Sequence, residues 1–370
     1  MHGAEQYMRQ ALELARLAEG RTRPNPAVGA VVVAGGRVVG EGYHPEAGRP
    51  HAEIFALRAA GEAARGADLY VTLEPCSHHG RTGPCTEAIM AAGLRRVFVG
   101  TRDPNPLVAG RGIARLQAAG VEVVCGILEG ECRRLIAPFA KHVTTGLPYV
   151  ILKSAVTLDG KTATSTGDSQ WITNAASRAH VHQLRDKVDA VVVGIGTVLK
   201  DNPRLTTRLA DGGGRDALRV VIDSRLQIPA DAALLHLDSP AGTLIATTGQ
   251  ASPARHSAIA RENVEILTVA EQGGRVDLTA LLGELGRRGI QSLLLEGGAV
   301  LNQGFLEAGL VDRMMIFVAP KVLGGCDGKG IFSGRGAVSL AEAVHLRDIR
   351  TARFDDDILI EGEVMPCLPG

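Results

Sequence analysis

Two segments, Pro50-His-Ala-Glu53 and Glu74-Pro-Cys-Ser-His-His-Gly-Arg-Thr-Gly-Pro-Cys85, decide how the first half of this 370-residue chain reads. One imidazole, His51, and two thiols, Cys76 and Cys85, make the donor set of a zinc ion with three protein ligands and an open fourth position. Water bound at such a position loses its proton near neutral pH. Glu53, two residues past the histidine, supplies the carboxylate that a hydrolytic reaction needs to move that proton. A purely structural zinc would not need it. The competing reading closes the site, with His78 or His79 as a fourth ligand. Taken singly, the parts are ordinary, since His-Ala-Glu is common on helix surfaces and cytosolic cysteines are usually inert core thiols. Their order, with a proline before Cys76, sets them apart.

The chain is long enough for two domains, and 45% hydrophobic residues are enough for two cores. The formal net charge is +0 and aromatic residues are 3% of the total. That combination offers neither a polyanion-binding surface nor a base-stacking platform, so nucleic acid is not an expected partner. Cysteines at 76, 85, 125, 132, 326 and 367 are scattered, unlike a secreted disulfide framework. The stretch from His2 to Glu19 is charged and amphipathic rather than a signal peptide. No apolar run approaches the roughly 18 residues of a membrane span. A soluble cytoplasmic protein is expected.

Apolar spacing predicts a helix over 4–18 and a hairpin of strands 27–33 and 37–43 across Gly35-Gly36. It then predicts a helix over 51–64, a strand over 68–73, a helix over 86–92, a strand over 96–101, a helix over 112–119 and a strand over 121–127. Alternating strands and helices imply a layered α/β domain. The metal ligands then fall at helix N-termini, which favour thiolates. A helix over about 129–145 runs into Gly146-Leu-Pro148, where a strand pattern begins afresh. The domains are therefore set at 1–146 and 147–370.

The second half alternates again, with strands at 149–156, 189–194, 218–223, 243–247, 264–268, 291–295 and 312–318. Helices are expected at 174–187, 277–288 and 299–308, and one last strand near 354–364. Its clearest local signal is Leu293-Leu-Leu-Glu-Gly-Gly298, an apolar strand running through two glycines into a helix. Such a turn exposes backbone amides at a helix N-terminus and suits a phosphate. It is neither a Rossmann fingerprint nor a Walker loop, and taken alone it is weak. Val191-Val-Val-Gly-Ile-Gly196-Thr197 is a second such turn.

Further motifs are Asn25-Pro-Ala-Val-Gly29, Gly42-Tyr-His44, Ala47-Gly48 and Asp103-Pro-Asn-Pro106, then Lys153-Ser-Ala-Val-Thr-Leu-Asp-Gly160, Ser169-Gln-Trp-Ile-Thr173 and Leu295-Glu-Gly-Gly298. With them the chain resembles, over essentially its whole length, the bifunctional riboflavin-biosynthesis deaminase/reductase family. His-x-Glu followed by Pro-Cys and a further Cys is the pattern of zinc deaminases. Eight residues separate Cys76 from Cys85 where C-x-x-C is usual, and this insertion is characteristic of the family. Gly83 departs from it, standing where a second proline is usual.

The resemblance implies an α/β protein. A cytidine-deaminase-like three-layer domain holding Zn2+ would be followed by a dihydrofolate-reductase-like domain using NADPH. His51, Cys76 and Cys85 would be the metal ligands and Glu53 the catalytic residue. Cofactor contacts are implied at Ala155, Trp171, Thr197, Asp201, Ser224, Gly298, Ala299, Val300, Leu301, Asn302, Gln303 and Gly304. Substrate contacts are implied at Ser169, Arg185, Leu205, Arg208 and Glu296, with Arg185 and Arg208 as a bidentate clamp on the ribose phosphate. Lys153 and Glu296 are the groups to test for proton transfer in the reduction. The implied reactions are deamination of 2,5-diamino-6-(ribosylamino)-4(3H)-pyrimidinone 5'-phosphate, then reduction of the product's ribosyl group to ribityl. A homo-oligomer acting on a small phosphorylated pyrimidine, away from membranes, completes the expectation. The alternatives are a deaminase of another base, a single-activity deaminase with a degenerate reductase domain, and a zinc-stabilised binding module without catalysis.

Overall fold

The computed structural model describes residues 2–78, 83–106 and 108–365. The chain divides into two compact units, Met1–Gly146 and Leu147–Gly370. Among the described residues no helix is long and apolar enough to cross a membrane.

In the first unit the order is α1 (His2–Arg16), β1 (Gly29–Ala34), β2 (Arg37–Tyr43), α2 (Ala52–Ala60), β3 (Asp68–Leu73), α3 (Cys85–Ala91), β4 (Arg96–Thr101), α4 (Arg111–Ala118), β5 (Glu122–Cys125), α5 (Glu129–Leu135) and α6 (Ala137–Thr145). The sheet runs β2-β1-β3-β4-β5, with β1 antiparallel to both neighbours and β3, β4 and β5 parallel. Strand side chains alternate between two faces. Ala30, Val32, Leu69, Val71, Val97 and Val99 face α2, α3 and α4, while Val31, Val33, Tyr70 and Phe98 face α1 and α5. The predicted helix over 51–64 stops at Ala60, and a tight 3-10 turn over Gly61–Ala64 follows, entered through Gly61 at φ +52°. The predicted helix over 129–145 is two helices, broken at Ile136. Pro138, in the first turn of α6, has no amide to carry the ladder back into α5.

Glycine decides how α2 sits. A Cβ on Gly42 would lie 2.4 Å from the Ala52 carbonyl oxygen, and one on Gly40 would lie 2.2 Å from that of Ala56. The helix that follows His51 and carries Glu53 therefore rests directly on the β2 backbone. We expect Gly42→Ala to force α2 off the strand and to cost about 1–3 kcal/mol. Thermal unfolding and zinc content of the variant measure this, and an unchanged melting temperature would refute it.

The second unit contains β6 (Tyr149–Thr157), α7 (Ala175–Lys187), β7 (Ala190–Gly194), α8 (Ile195–Asp201), β8 (Leu218–Ile222), β9 (Thr243–Thr247), α9 (Pro253–Ile259), β10 (Val264–Thr268), a small hairpin of β11 (Glu271–Gln272) and β12 (Arg275–Val276), α10 (Leu278–Arg287), β13 (Ser292–Leu295), α11 (Ala299–Glu307), β14 (Arg313–Ala319), β15 (Leu346–Phe354) and β16 (Asp357–Val364). Its large sheet runs β10-β9-β8-β7-β13-β6-β14-β16-β15. The strands from β10 through β14 are parallel, and β16 and β15 close one edge as an antiparallel hairpin. The single last strand expected near 354–364 is thus two. Helices α10 and α11 cover one face and α7, α8 and α9 the other. The chain runs outward from β6 to β10 and returns to insert β13 between β7 and β6. Open parallel sheets bind ligands where the strand order reverses, beyond the carboxyl ends of the strands. Here those ends carry Gly194, Glu296 and Thr157.

Candidate active sites

In the first unit His51, Cys76 and Cys85 converge, their ligand atoms all within 4.8 Å of one another. His51 is the N-cap of α2 and Cys85 the first residue of α3. Cys76, expected at a helix N-terminus, lies instead in the loop three residues beyond β3. It still reaches the end of α3, because its Sγ accepts the Cys85 amide at 3.3 Å. His51 Nδ1 lies 3.3 Å from Cys85 Sγ and 3.6 Å from Cys76 Sγ. Zn–S and Zn–N bond lengths at a tetrahedral angle put N and S about 3.6 Å apart. The donor set and its spacing therefore fit zinc. The Cys85 thiol, followed by His51, draws Cys76 down to about 4 against the opposing effect of burial. Beside that thiolate and Glu53, the Cys85 thiol is driven up. Glu53 is 3% exposed, and burial raises its carboxyl to about 6. His78 is exposed and not part of the cluster, and His79 lies outside the described residues.

Two supports were not assigned from the sequence. Glu74, 3% exposed, accepts the amides of Asp103 (3.2 Å), Gly110 (3.0 Å), Gly112 (2.9 Å) and Ile113 (3.2 Å). It fastens the start of α4 to the end of β3, just before Cys76. Gly112 permits this, since a Cβ there would meet the Pro75 carbonyl oxygen at 2.0 Å. The Asp103 carboxylate caps the same loop by accepting the Asn105 amide at 2.8 Å. The second support is His44, 2% exposed, whose ring stands edge-on to His51 at 5.3 Å. Asn25 Nδ2 lies 3.0 Å from His44 Nε2, and His44 Nδ1 lies 3.1 Å from the Pro50 carbonyl oxygen. With the amide donating to Nε2, the proton sits on Nδ1 and is given to Pro50. Burial lowers His44 below the ordinary histidine value, in keeping with a neutral ring.

In the second unit Glu296, just past β13, accepts both Arg185 Nε (2.7 Å) and Arg185 Nη2 (3.0 Å), and Lys153 Nζ stands 4.0 Å away. Burial alone would raise the Glu296 carboxyl, but Arg185 and Lys153 outweigh it and hold it at about 2. Arg185 Nη1 donates to the Thr206 carbonyl at 3.1 Å. Its Nε, Nη1 and Nη2 are thus each bonded within the protein, at a residue expected to share a phosphate clamp with Arg208. Arg208 is exposed and donates through Nη1 to Thr206 Oγ1 at 3.0 Å. Burial, with Arg185 and Arg208 alongside, pushes His182 down to about 4, and its Nδ1 accepts the Arg208 amide at 3.3 Å.

Gly298 is the N-cap of α11, without a side-chain cap, and lies near Thr197 Oγ1 on α8. A Cβ on Gly196, in the first turn of α8, would meet nothing within 4 Å, so the space beside that turn is open. Ala299, Val300 and Gln303 are partly or fully exposed, whereas Leu301 packs on Gly194 and Gly297, Gly304 packs on Leu278, and Asn302 is 1% exposed with its Nδ2 on the Ile331 carbonyl. Helical periodicity turns those three toward the protein and leaves Ala299, Val300 and Gln303 on the more open side. Ala155 is partly buried on β6, and Trp171 is 62% exposed rather than a core residue. Ser169 Oγ accepts Lys200 Nζ at 3.2 Å. Asp201 is exposed at the end of α8, and Leu205 is buried at φ +54°. Ser224 Oγ accepts the Val276 amide at 3.0 Å, which makes it a turn-holding group in this structure.

A family described as the cytidine and deoxycytidylate deaminase zinc-binding region matches residues 1–101, and the RibD C-terminal domain matches residues 148–360. The riboflavin biosynthesis protein RibD of Bacillus amyloliquefaciens is 44% identical over 354 residues, covering 96% of this chain and 94% of that protein. RibD of Escherichia coli is 43% identical over 353 residues, with 92% and 93% covered. Among solved structures, a diaminohydroxyphosphoribosylaminopyrimidine deaminase/5-amino-6-(5-phosphoribosylamino)uracil reductase of Thermotoga maritima superimposes with a TM-score of 0.85 at 39% identity, covering 98% of this chain and 99% of its own. Acinetobacter baumannii RibD gives 0.84 at 38%, with the same coverage. Fold and sites thus define a two-site enzyme, a deaminase joined to a reductase. The chain belongs to the RibD family, the bifunctional deaminase/reductases of riboflavin biosynthesis.

Proposed function

We propose that the first unit deaminates 2,5-diamino-6-(ribosylamino)-4(3H)-pyrimidinone 5'-phosphate, and that the second reduces the ribosyl group of the product to ribityl with NADPH. The observation that carries the reading is the three-donor cluster with a buried acid two residues from its histidine. His51, Cys76 and Cys85 would hold zinc, which when bound acidifies its water ligand and so supplies the nucleophile. Glu53 would take a proton from the attacking water and return it to the departing amine, and ammonia leaves. Burial of Glu53 and the bonds from Glu74 and His44 hold these groups in place.

In the second unit Thr197, Gly298, Ala299 and Val300 would form the cradle for a pyrophosphate, and Trp171 and Ala155 would wall the nicotinamide. Bound NADPH supplies the hydride, while the protein supplies binding, orientation and electrostatics. Arg208 would meet the substrate phosphate, and Ser169 would contact the substrate. Lys153, kept beside Glu296, is the side chain we would test as the proton source. A small phosphorylated pyrimidine suits a chain of net charge +0 and 3% aromatics better than a nucleic acid does.

The test follows ammonia release and NADPH oxidation together on zinc-loaded protein given the diamino compound. Ammonia is expected first, with NADPH consumed only afterwards. Supplying the deaminated compound should remove the ammonia and keep the oxidation. Ammonia without any NADPH oxidation from either compound would leave a single-activity deaminase.

A further inference from the structure

The loop after β6 carries Leu158-Asp-Gly160, a motif that none of the steps above uses. We propose that Asp159 is a positioning residue, fixing the Trp171 wall of the reductase site by clamping the loop that follows β14. The proposal rests on the cofactor reading given above.

Strands β6 and β14 are neighbours, with Thr157 opposite Ala319, so their loops leave the sheet side by side. Asp159 Oδ1 accepts Thr157 Oγ1 at 2.6 Å and the Leu323 amide at 3.2 Å, and Oδ2 accepts the Gly324 amide at 2.8 Å. The clamped turn is one that only glycine adopts readily, with Gly324 at φ +71° and Gly325 at φ +67°. Successive amides are thereby aimed at a single carboxylate, a geometry suited to negative charge. Backbone bonds lace the same two loops together: Leu158 N to Lys321 O (2.7 Å), Thr162 N to Lys329 O (2.7 Å) and Lys329 N to Ala163 O (3.1 Å). Lys321 carries the connection on, because its ammonium donates to the Trp171 carbonyl at 2.6 Å. On the other side the Arg178 guanidinium lies 4.6 Å from the centre of the Trp171 ring.

Trp171 is thus held by its backbone and by Arg178, yet 62% of it stays open. Leu158 at 68% and Val322 at 67% are open on the same pair of loops. An indole fixed in place but left uncovered has contact area to offer a ligand. The carboxylate that bonds across the two loops is that of Asp159. An asparagine of the same size would keep one acceptor and turn an NH2 group toward the second amide, where donor would meet donor.

Trp171 is the only tryptophan of the chain, so its fluorescence reports the wall directly. In full-length Asp159→Asn we expect acrylamide to quench Trp171 more strongly and KM for NADPH to rise about tenfold, as for loss of one or two exposed bonds. At saturating NADPH kcat should stay within about twofold, ammonia release should be unchanged, and Asp159→Glu should recover part of the affinity. Gly324→Ala, which strains the clamped turn from the other loop, should reproduce the effect. Asp211→Asn, in an exposed turn elsewhere in the unit, should not. Wild-type quenching and KM in both clamp variants would overturn the proposal. So would a joint fall of kcat, ammonia release and melting temperature, since that marks a general scaffold role. If the wild type oxidises no NADPH while the quenching change persists, the cofactor reading fails and the positioning role stands.

Discussion

Glu53→Gln is expected to lose ammonia release by about 10²–10⁴-fold, the usual worth of a positioned acid–base group, while keeping its zinc. The substitution preserves size at a position 3% exposed, so packing of α2 changes little. It removes the buried carboxylate beside the donor cluster, the group proposed to take and return the proton. None of His51, Cys76 or Cys85 is altered, and their mutual distances do not depend on the carboxylate. Metal analysis and an ammonia assay on the same preparation decide the matter. If zinc and folding are lost in proportion to activity, Glu53 is a structural ligand and the acid–base role is wrong. NADPH oxidation by the variant should survive when the deaminated compound is supplied, because Glu53 and the proposed cofactor cradle lie in different units.

Much of this could be read from the sequence because the signals are local. The buried strands Gly29–Ala34 and Ala190–Gly194 are continuous apolar runs ending in turn residues. His51 and Glu53 stand two apart, and the cysteines lie within one loop and the helix after it. What was missed depends on partners far along the chain. Glu74 meets its amides 29 to 39 residues later, and Glu296 meets Arg185 at a separation of 111. Neither distance leaves a periodic trace. Strand β15 was missed for a different reason. It is an edge strand, exposed along most of its length, and Leu346-Arg-Asp-Ile-Arg-Thr-Ala-Arg-Phe354 shows no buried face to read. The inward turn of Leu301, Asn302 and Gly304 follows from helix phase, which a motif match does not carry.

Arg185→Met is expected to destabilise the second unit by about 3–5 kcal/mol, the cost of breaking a buried ion pair by removing one partner. Both side chains are only 12% exposed, and the two parallel bonds leave Glu296 no equivalent donor once the guanidinium is gone. Lys153, at 4.0 Å, can offset part of the loss. Pairing the change with Glu296→Leu removes the stranded carboxylate but leaves Lys153 without its counter-charge, so the double variant should regain part of the stability. Reductase activity should not return with it, and that separates the pair's structural cost from its place in the site. The acid response carries the same logic with a definite sign. The folded-state value of Glu296 is depressed to about 2 from an ordinary 4.5. Its contribution is therefore present above the ordinary value and lost as pH falls through the folded one. Wild-type protein should lose melting temperature between about pH 4.5 and 2 in a component that the double variant lacks. Arg185→Met as stable as wild type, with the same acid slope, would show that the guanidinium is not bound to Glu296 in solution. It would then be free again to serve as a phosphate clamp. In that event a substrate without its phosphate should bind Arg185→Met and wild type alike. With Arg185 committed to Glu296, Arg208→Ala is the change that should erase the preference for phosphorylated substrate.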